Sequence, residues 1–307
     1  MEIVVTGASG FVGRSLCPIL ETAGVTVRRA ARDVTSDIGE HTEWGPIVEG
    51  ASAVIHLAAH VHIMRSEHNQ STNDEDERYR VVNTLGSEQL ARAADRAGVR
   101  RFIFLSTAKV MGEASTNPLT AADPVNPQGI YAQSKWDAEQ AVAAAVRTME
   151  LVILRPPLVY GPHVRGNFLR VMQVIERGVP LPLGAISNLR SLIFVGNLSG
   201  AIHHALTAPA GVYLPTDRED MSTSDLIRRL ASAMNRPARL FAVPPALLSL
   251  CAHLVGRGEE YQKLAGSLQL DGKMPGWEPT SSVLAGLQAT AHWFCEARQM
   301  ATTKEVD

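Results

Sequence analysis

The stretch that decides the fold opens the chain: Ile3-Val-Val-Thr6, followed by Gly7-Ala-Ser-Gly10-Phe-Val-Gly13. The β-branched run predicts a strand, and the apolar spacing of residues 12–23 predicts a helix directly after the glycines. Glycines here allow a tight turn, close backbone approach to a phosphate, and close packing of helix on strand. The N–H groups and dipole of the helix N-terminus favour that phosphate. The stretch therefore predicts a dinucleotide-binding turn, with these cofactor-binding residues: Gly7, Gly10, Phe11, Val12 and Gly13.

Strand and helix patterns alternate beyond this turn. Apolar, often β-branched runs at 25–29, 53–57, 102–105 and 151–154 predict strands, and residues 79–97 and 131–149 predict helices. Such alternation is typical of a parallel sheet with helices on both faces. We therefore predict an α/β fold, a doubly wound Rossmann parallel sheet with a smaller C-terminal substrate-binding region.

The domain boundaries follow from where the alternation ends. Residues 1–165 are predicted to form the dinucleotide-binding domain, with later strands returning at about 192–215. Residues 166–300 are predicted to be mostly the substrate-binding region, interleaved with those strands, and 301–307 a tail. Helices are expected there at 197–208, 222–235, 245–255 and 281–298. The apolar run 246–255 is predicted to be a buried helix, and the acidic segment 66–78 a solvated loop leading into a helix.

Composition excludes several classes of function. The net charge of −2 over 307 residues gives no general attraction to nucleic acid or to anionic membranes, so neither partner is expected. The apolar runs are shorter than the roughly 18 residues of a membrane span. No signal peptide is visible, and three distant cysteines without a CxxC pair fit a reducing compartment, so a cytoplasmic location is predicted. No metal site is expected, because the paired histidines lack a carboxylate or cysteine at ligand spacing: His60, His62, His203 and His204.

Tyr131-Ala-Gln-Ser-Lys135 is the chemical motif of the chain. Four residues of helix bring the phenol and the ammonium to one face, within reach of one cofactor ribose. Tyrosine has an ordinary pKa of about 10, too high for efficient proton transfer near neutrality. A nearby ammonium, helped by an oxidised nicotinamide ring, would lower that pKa. Tyr131 is therefore predicted to exchange a proton with a substrate oxygen while hydride moves.

Together the TGxxGxxG turn, the YxxxK motif and Ser106-Thr107 upstream of it resemble the extended short-chain dehydrogenases/reductases, the NAD-dependent epimerase/dehydratase family. The resemblance covers nearly the whole chain. It implies a nicotinamide cofactor and a catalytic group of Thr107, Tyr131 and Lys135, in which Thr107 binds the reacting oxygen and Lys135 also binds the cofactor ribose. It implies these further cofactor contacts: Leu57, Ala58, Ala59, Asn83 and Pro156.

The end of the second predicted strand bears on the choice of cofactor. An acidic residue there favours NAD and an arginine favours the 2′-phosphate of NADP. The usual acidic position falls at Ala31, with Arg32 next, so Arg32, helped by Arg14 or Arg28, would pair with the phosphate. NADP(H) is therefore favoured as cofactor. NAD(H) is the alternative, with Asp33 binding the ribose.

The predicted substrate residues follow from the same resemblance. Related 4,6-dehydratases carry an Asp-Glu pair where this chain has Ala108-Lys109, so dehydration is not expected. Lys109 either contacts substrate or lies at the pocket rim. Asn167 is implied to contact the nucleotide diphosphate or its sugar, and Arg190 to pair with the diphosphate, for which a guanidinium offers two donors at once.

The expected activity is redox chemistry at C4 of a UDP-sugar. The segment 153–184 most resembles bacterial 4-ketoreductases that make UDP-N-acetylquinovosamine for surface polysaccharide, so we expect reduction of a UDP-4-keto-6-deoxy-N-acetylhexosamine. The alternative is a UDP-hexose 4-epimerase of the UDP-glucose type, and a third hypothesis is a non-catalytic NADP-sensing protein on the same fold. The resemblance also implies a homodimer, packed through the helices predicted at 79–97 and 131–149.

Overall fold

A six-stranded parallel sheet forms the centre of the computed structural model, which describes residues 1–31, 38–61 and 73–304. Its strand order is β2-β1-β3-β4-β5-β8, and β6 pairs with β7 in a separate two-stranded parallel sheet. The order reverses between β1 and β3, and ligands of open α/β sheets bind at the carboxyl ends of strands beside such a reversal. The strands are β1 Glu2–Thr6, β2 Thr26–Ala30, β3 Ala53–His56, β4 Arg101–Leu105, β5 Glu150–Leu154, β6 Leu158–Tyr160, β7 Leu192–Phe194 and β8 Gly211–Tyr213.

Helices connect the strands and cover both faces of the sheet. They are α1 Phe11–Thr22, α2 Gly45–Val48, α3 Asn73–Tyr79, a π-helical segment Arg80–Leu85, α4 Gly86–Arg96, a 3-10 turn Ala108–Met111, α5 Ile130–Ala145, α6 Gly166–Glu176, α7 Val195–His204, α8 Thr223–Ala233, α9 Pro245–Leu254, α10 Gly258–Ala265 and α11 Val283–Lys304. The predicted doubly wound Rossmann sheet is confirmed.

The core follows the alternation of side chains along the strands. Ile3 and Val5 face α1 and α7 in one apolar cluster, whereas Val4 and Phe102 face α4 and α5 in another. A third cluster joins α6, α8 and α11. Both faces of the central strands are therefore buried, so the polar groups at their carboxyl ends are held in fixed positions.

Several local predictions are wrong. Of the predicted loop 66–78, residues 66–72 lie outside the described residues, and 73–78 are helical, because Asp74, Glu75 and Asp76 lie in the first turn of α3, where the helix dipole favours acids. Helix α5 ends at Ala145, four residues early, and α6 was not predicted. The predicted tail begins inside α11, which continues to Lys304.

Helix α9 contradicts the prediction of a buried helix most clearly. None of its residues is buried, and Leu250 and Leu254 are 57% and 77% exposed. An apolar composition alone does not decide whether a neighbouring element covers a helix.

Candidate active site

The glycine turn lies against the end of β3. Gly7 has a positive φ of 66°, and a Cβ there would come within 2.8 Å of the backbone nitrogen of Ala58. A Cβ at Gly13 would likewise collide with the backbone of the turn. Helix α1 begins just after the exposed Gly10, and no side chain caps its N-terminus, so N–H groups of its first turn have no side-chain partner there. This cradle fits the pyrophosphate of a dinucleotide.

A buried chain of hydrogen bonds ends at the backbone N–H of Ala58, which lies against the glycine turn. The Ser87 hydroxyl donates to the Asn83 carbonyl at 2.5 Å, so in its 2.8 Å contact with His56 it must accept a proton from Nε2. Burial lowers the pKa of His56 to about 3, with the Lys135 charge acting in the same direction, so the ring is neutral. Nδ1 of His56 therefore accepts from the Thr6 hydroxyl, 2.6 Å away. Thr6 Oγ1 in turn accepts from the Ala58 N–H at 3.3 Å.

Asn83 lies in the π-helical segment and is fully buried. Its Oδ1 accepts from the His60 N–H at 2.7 Å, and its Nδ2 donates to the His60 carbonyl and to the Ser134 hydroxyl, both at 3.0 Å. Ser134 donates to the Tyr131 carbonyl at 2.9 Å. Asn83 therefore joins the segment after β3 to the first turn of α5. Its implied contact with the cofactor stays a prediction.

Tyr131 and Thr107 come together as predicted from their order in the chain, because β4 ends beside α5. A hydrogen bond from Thr107 lowers the pKa of Tyr131, but burial, followed by the proximity of Tyr79, raises it more, to about 12. The ring of Tyr79 is edge-on to that of Tyr131, with centroids 6.2 Å apart. In the protein by itself, desolvation of the phenolate therefore dominates, and the lowering of the Tyr131 pKa by Lys135 together with an oxidised nicotinamide ring stays a prediction.

Lys135 is 1% exposed, and its ammonium nitrogen lies 4.1 Å from the centroid of the Phe104 ring. Burial lowers the pKa of Lys135 to about 7, and the Glu139 charge opposes this. The ammonium form therefore depends on nearby negative charge and on the ring face. Lys135 can therefore gain or lose a proton near neutral pH.

Glu139, one helical turn beyond Lys135, makes a buried ion pair that sequence reasoning missed. Arg155 Nη2 lies 2.6 Å from Glu139 Oε2, and the Ser106 hydroxyl also donates to this carboxylate. Arg155 follows β5 and Ser106 follows β4, so the pair holds both strand ends against α5. The backbone N–H of Ala108 donates to the carbonyl of Pro156 at 2.8 Å, next to Arg155. The feature of the sequence that could have identified Glu139 is its position four residues after Lys135, on the same face of the helix.

The residues that were predicted to select the cofactor are only partly described. Arg32 and Asp33 lie outside the described residues. The prediction that Arg28 helps to bind a 2′-phosphate is wrong, because its guanidinium pairs with Glu2 at 2.8 Å and donates to the carbonyls of Ile47 and Glu49. Arg14 Nε donates to the Ser9 carbonyl at 2.8 Å, beside the glycine turn.

At the substrate end, Lys109 is exposed and pairs with Glu113 at 3.0 Å. Arg190 Nη1 donates to the carbonyls of Lys263 and Gly266 at 2.6 and 3.0 Å. Burial lowers the pKa of Arg190, and the charge of Glu113 opposes this, so Glu113 links Lys109 and Arg190 electrostatically. Glu113 was not among the residues predicted from the sequence. Asn167 is exposed in the first turn of α6, and its contact with substrate stays a prediction.

Neither a metal-binding cluster nor a membrane-spanning helix occurs in the described part of the chain. Within residues 1–31, 38–61 and 73–304, no three His, Cys, Asp or Glu side chains come close enough to hold a metal ion. Over the same ranges, no helix combines the length and the apolar character needed to cross a membrane.

A doubly wound sheet, a glycine cradle at its reversal point, and a Tyr131–Lys135 pair beside it define a dinucleotide-binding protein of the short-chain dehydrogenase/reductase class. Residues 3–216 match the model of the NAD dependent epimerase/dehydratase family, and the chain belongs to that family.

Relatives and solved structures agree with this assignment. The chain is 34% identical to a UDP-glucose 4-epimerase of Vibrio cholerae over 96% of each chain. It is 28% identical to an Escherichia coli O157:H7 N-acetyl-α-D-glucosaminyl-diphospho-ditrans,octacis-undecaprenol 4-epimerase, over 76% of this chain and 73% of that one. Among solved structures, UDP-glucuronic acid 4-epimerase from Bacillus cereus in complex with NAD superposes with a TM-score of 0.76 at 20% identity, covering 96% of this chain and 99% of that one.

Proposed function

We propose that this protein is a UDP-sugar 4-epimerase, which inverts the configuration at C4 of the sugar. The observation that carries the proposal is the Thr107–Tyr131–Lys135 group in a chain that aligns almost end to end with a UDP-glucose 4-epimerase. A second relative is also named as a 4-epimerase. The ketoreductase that the sequence analysis expected receives less support, and its alternative fits the comparisons better.

The residues after Thr107 argue against water loss. Ala108 is 1% exposed and carries no acid or base, and the exposed Lys109 is paired with Glu113. Dehydration needs one group to remove a proton and another to protonate the leaving hydroxyl. Ala108 and Lys109 offer no such pair, so we expect only hydride and proton transfer at one carbon of the sugar.

The side chains perform the proton half of the reaction. A nicotinamide ring bound above the glycine turn would supply the hydride acceptor and donor at C4 of the sugar. Tyr131 Oη, as phenolate, takes the proton of the C4 hydroxyl as the hydride leaves, and gives the proton back when the hydride returns. Thr107 donates to the same oxygen, and Lys135 stabilises the phenolate and would bind the cofactor ribose. No proton or electron is consumed overall.

The residues also fit a cofactor that stays bound. The Gly7–Gly13 cradle and the small Ala58 and Ala59 leave room for the pyrophosphate and ribose. Because an epimerase must return the hydride to the molecule that supplied it, we propose NAD as the resident form, in place of the NADP(H) that was expected from Arg32. The proposed NAD preference therefore requires that Arg32 does not hold a 2′-phosphate.

The experiment is to purify the protein, identify any released nicotinamide, and incubate the protein with UDP-glucose or UDP-N-acetylglucosamine. The proposal expects bound NAD and formation of the 4-epimer, without net change in absorbance at the NADH band. Turnover only of a UDP-4-keto sugar, with one NADPH oxidised for each product, would contradict it. The variant Tyr131→Phe controls for contaminating epimerase.

A further inference from the structure

Glu139 lies one helical turn beyond Lys135, on the same face of α5. Both residues are 1% exposed, so little water is available to screen the charge of either side chain. The Lys135 ammonium also lies over the ring of Phe104, whose centroid is 4.1 Å away. The ammonium is therefore buried against an aromatic ring, on a helix face that carries a buried carboxylate.

Donors from two strand ends hold the Glu139 carboxylate in place. Arg155, directly after β5, donates from Nε to Oε1 at 3.0 Å and from Nη2 to Oε2 at 2.6 Å. Ser106, directly after β4, donates its hydroxyl to Oε1. Three donors keep the carboxylate in one orientation, so the fold sets its position relative to the Lys135 ammonium.

Arg155 is fixed as well. Its Nη1 donates to the sulfur of Met111 at 2.9 Å, and its Cζ lies 5.7 Å from the centroid of the Trp136 ring. Its side chain is 5% exposed. Because a guanidinium stays protonated in proteins, the pair places one permanent positive charge beside the negative charge of Glu139. The two charges act on Lys135 in opposite directions.

The other titratable groups packed around Lys135 and Tyr131 are neutral near neutral pH. Burial raises the pKa of Tyr79 and of Tyr131 to about 12, and it lowers the pKa of His56 to about 3. Tyr79 ends α3, Tyr131 lies in the first turn of α5, and His56 ends β3. In this buried part of the described chain, Glu139 and Arg155 therefore carry the charges that can shift the protonation of Lys135.

We propose that Glu139 is a positioning residue of the active site: its charge, partly offset by Arg155, favours the ammonium form of Lys135, and its bond to Ser106 fixes the strand end that carries Thr107. The proposal rests on the roles that the proposed function gives to Lys135 and Thr107. The ammonium is the form of Lys135 that stabilises a Tyr131 phenolate. Glu139 thus acts on the reaction through two neighbours, without touching the sugar.

The protonation of Lys135 can be measured directly, because the chain has five lysines: Lys109, Lys135, Lys263, Lys273 and Lys304. The Cε resonances of protein labelled with ¹³C-lysine are followed against pH by NMR, and Lys135→Met identifies the resonance of Lys135. The wild-type midpoint should lie at about 7. Glu139→Gln removes the carboxylate charge and keeps the side-chain shape, so it should lower the midpoint by about one pH unit or more.

Arg155→Met removes the opposite charge of the same ion pair and should raise the Lys135 midpoint. Both single variants lose the same buried pair, so shifts of opposite sign separate electrostatic control from damage to the fold. Glu139→Gln/Arg155→Met leaves no unpaired charge in the interior, and its midpoint should lie below that of the wild type. Asp137 is the matched control, since it is an exposed acid on α5, and Asp137→Asn should leave the midpoint unchanged.

Steady-state kinetics connect this charge to turnover. The alkaline limb of kcat against pH should move to lower pH in Glu139→Gln, together with the NMR midpoint. Ser106→Ala should lower kcat without moving this limb, because it loosens the strand end and removes no charge.

Either of two results would overturn the proposal. One is a Lys135 midpoint at the wild-type value in both Glu139→Gln and Glu139→Gln/Arg155→Met. The other is a shift in the same direction in Glu139→Gln and Arg155→Met. A wild type that epimerises no UDP-sugar would instead contradict the proposed function, since the NMR titration needs no substrate.

Discussion

The side-chain amide of Asn83 donates a 3.0 Å hydrogen bond to the hydroxyl of Ser134, three residues after Tyr131. Because Ser134 donates to the Tyr131 carbonyl, the bond fixes the start of α5 to the segment after β3. Replacing Asn83 with Ala should lower kcat by roughly tenfold to a hundredfold, since small displacements of reacting groups are costly. The KM for the UDP-sugar should change little, and steady-state kinetics separate the two constants.

Thr84 supplies the matched control for Asn83. It neighbours Asn83 in the π-helical segment and also contacts Ser134, through a 3.2 Å bond to its carbonyl, but it is less buried. Thr84→Ala should leave kcat within about twofold of wild type, because it removes one neutral hydrogen bond and leaves the Asn83–Ser134 bond in place. If Thr84→Ala and Asn83→Ala lower kcat equally, the Asn83–Ser134 bond has no special role.

Tyr131→Phe removes the proposed proton carrier and keeps the ring. The rate should fall by roughly 10²–10⁴-fold, the usual contribution of a positioned acid or base. Nicotinamide binding, followed by quenching of tryptophan fluorescence, should be unchanged. Tyr79→Phe is the control, since that ring packs on Tyr131 without being placed at the reacting oxygen. Activity in Tyr131→Phe comparable to that of Tyr79→Phe would refute the assignment.

Lys135 makes stability depend on pH. Its pKa falls from the ordinary 10.5 to about 7 in the folded protein, so between these values the unfolded chain binds more protons. The free energy of unfolding should therefore rise with pH above about 7, by at most about 1.4 kcal/mol per pH unit from this group. Urea unfolding of the wild type and of Lys135→Met, from about pH 7 to about pH 9, isolates this contribution. A wild-type stability that falls relative to Lys135→Met over this range has the wrong sign for a buried lysine.

The buried pair of Glu139 and Arg155 should matter far more than a surface pair. Arg155→Met leaves the Glu139 carboxylate without its cation and should cost about 3–5 kcal/mol of unfolding free energy. The double variant Arg155→Met/Glu139→Met should recover part of that loss. Arg92→Met breaks the exposed pair with Glu88 and should cost less than about 1 kcal/mol. Equal losses at Arg155 and Arg92 in denaturant unfolding would contradict this view of the site.

Much of the cofactor half could be predicted because local patterns specify it. Glycine spacing, β-branched runs and the YxxxK motif each depend on neighbours within one turn or strand, and they gave the sheet and the Thr107–Tyr131–Lys135 group. The His56–Ser87 and Glu139–Arg155 contacts were missed because they join residues far apart in sequence.

The exposure of side chains to solvent also could not be predicted from the sequence. The apolar pattern of 246–255 is the same for a buried helix and for one that faces solvent, and only the packing of α9 on α10 distinguishes them. The raised pKa of Tyr131 in the protein by itself was not foreseen for a related reason, since burial depends on the whole fold and not on the spacing to Lys135.

The most direct test of the central claim follows deuterium placed at C4 of UDP-glucose and of UDP-N-acetylglucosamine. The account predicts that the wild type forms the 4-epimer with the label retained at C4, because the hydride returns to the carbon it left, and that Tyr131→Phe forms almost none. Loss of the label from the product, or turnover that depends on added NADPH and yields only a reduced sugar, would contradict the account.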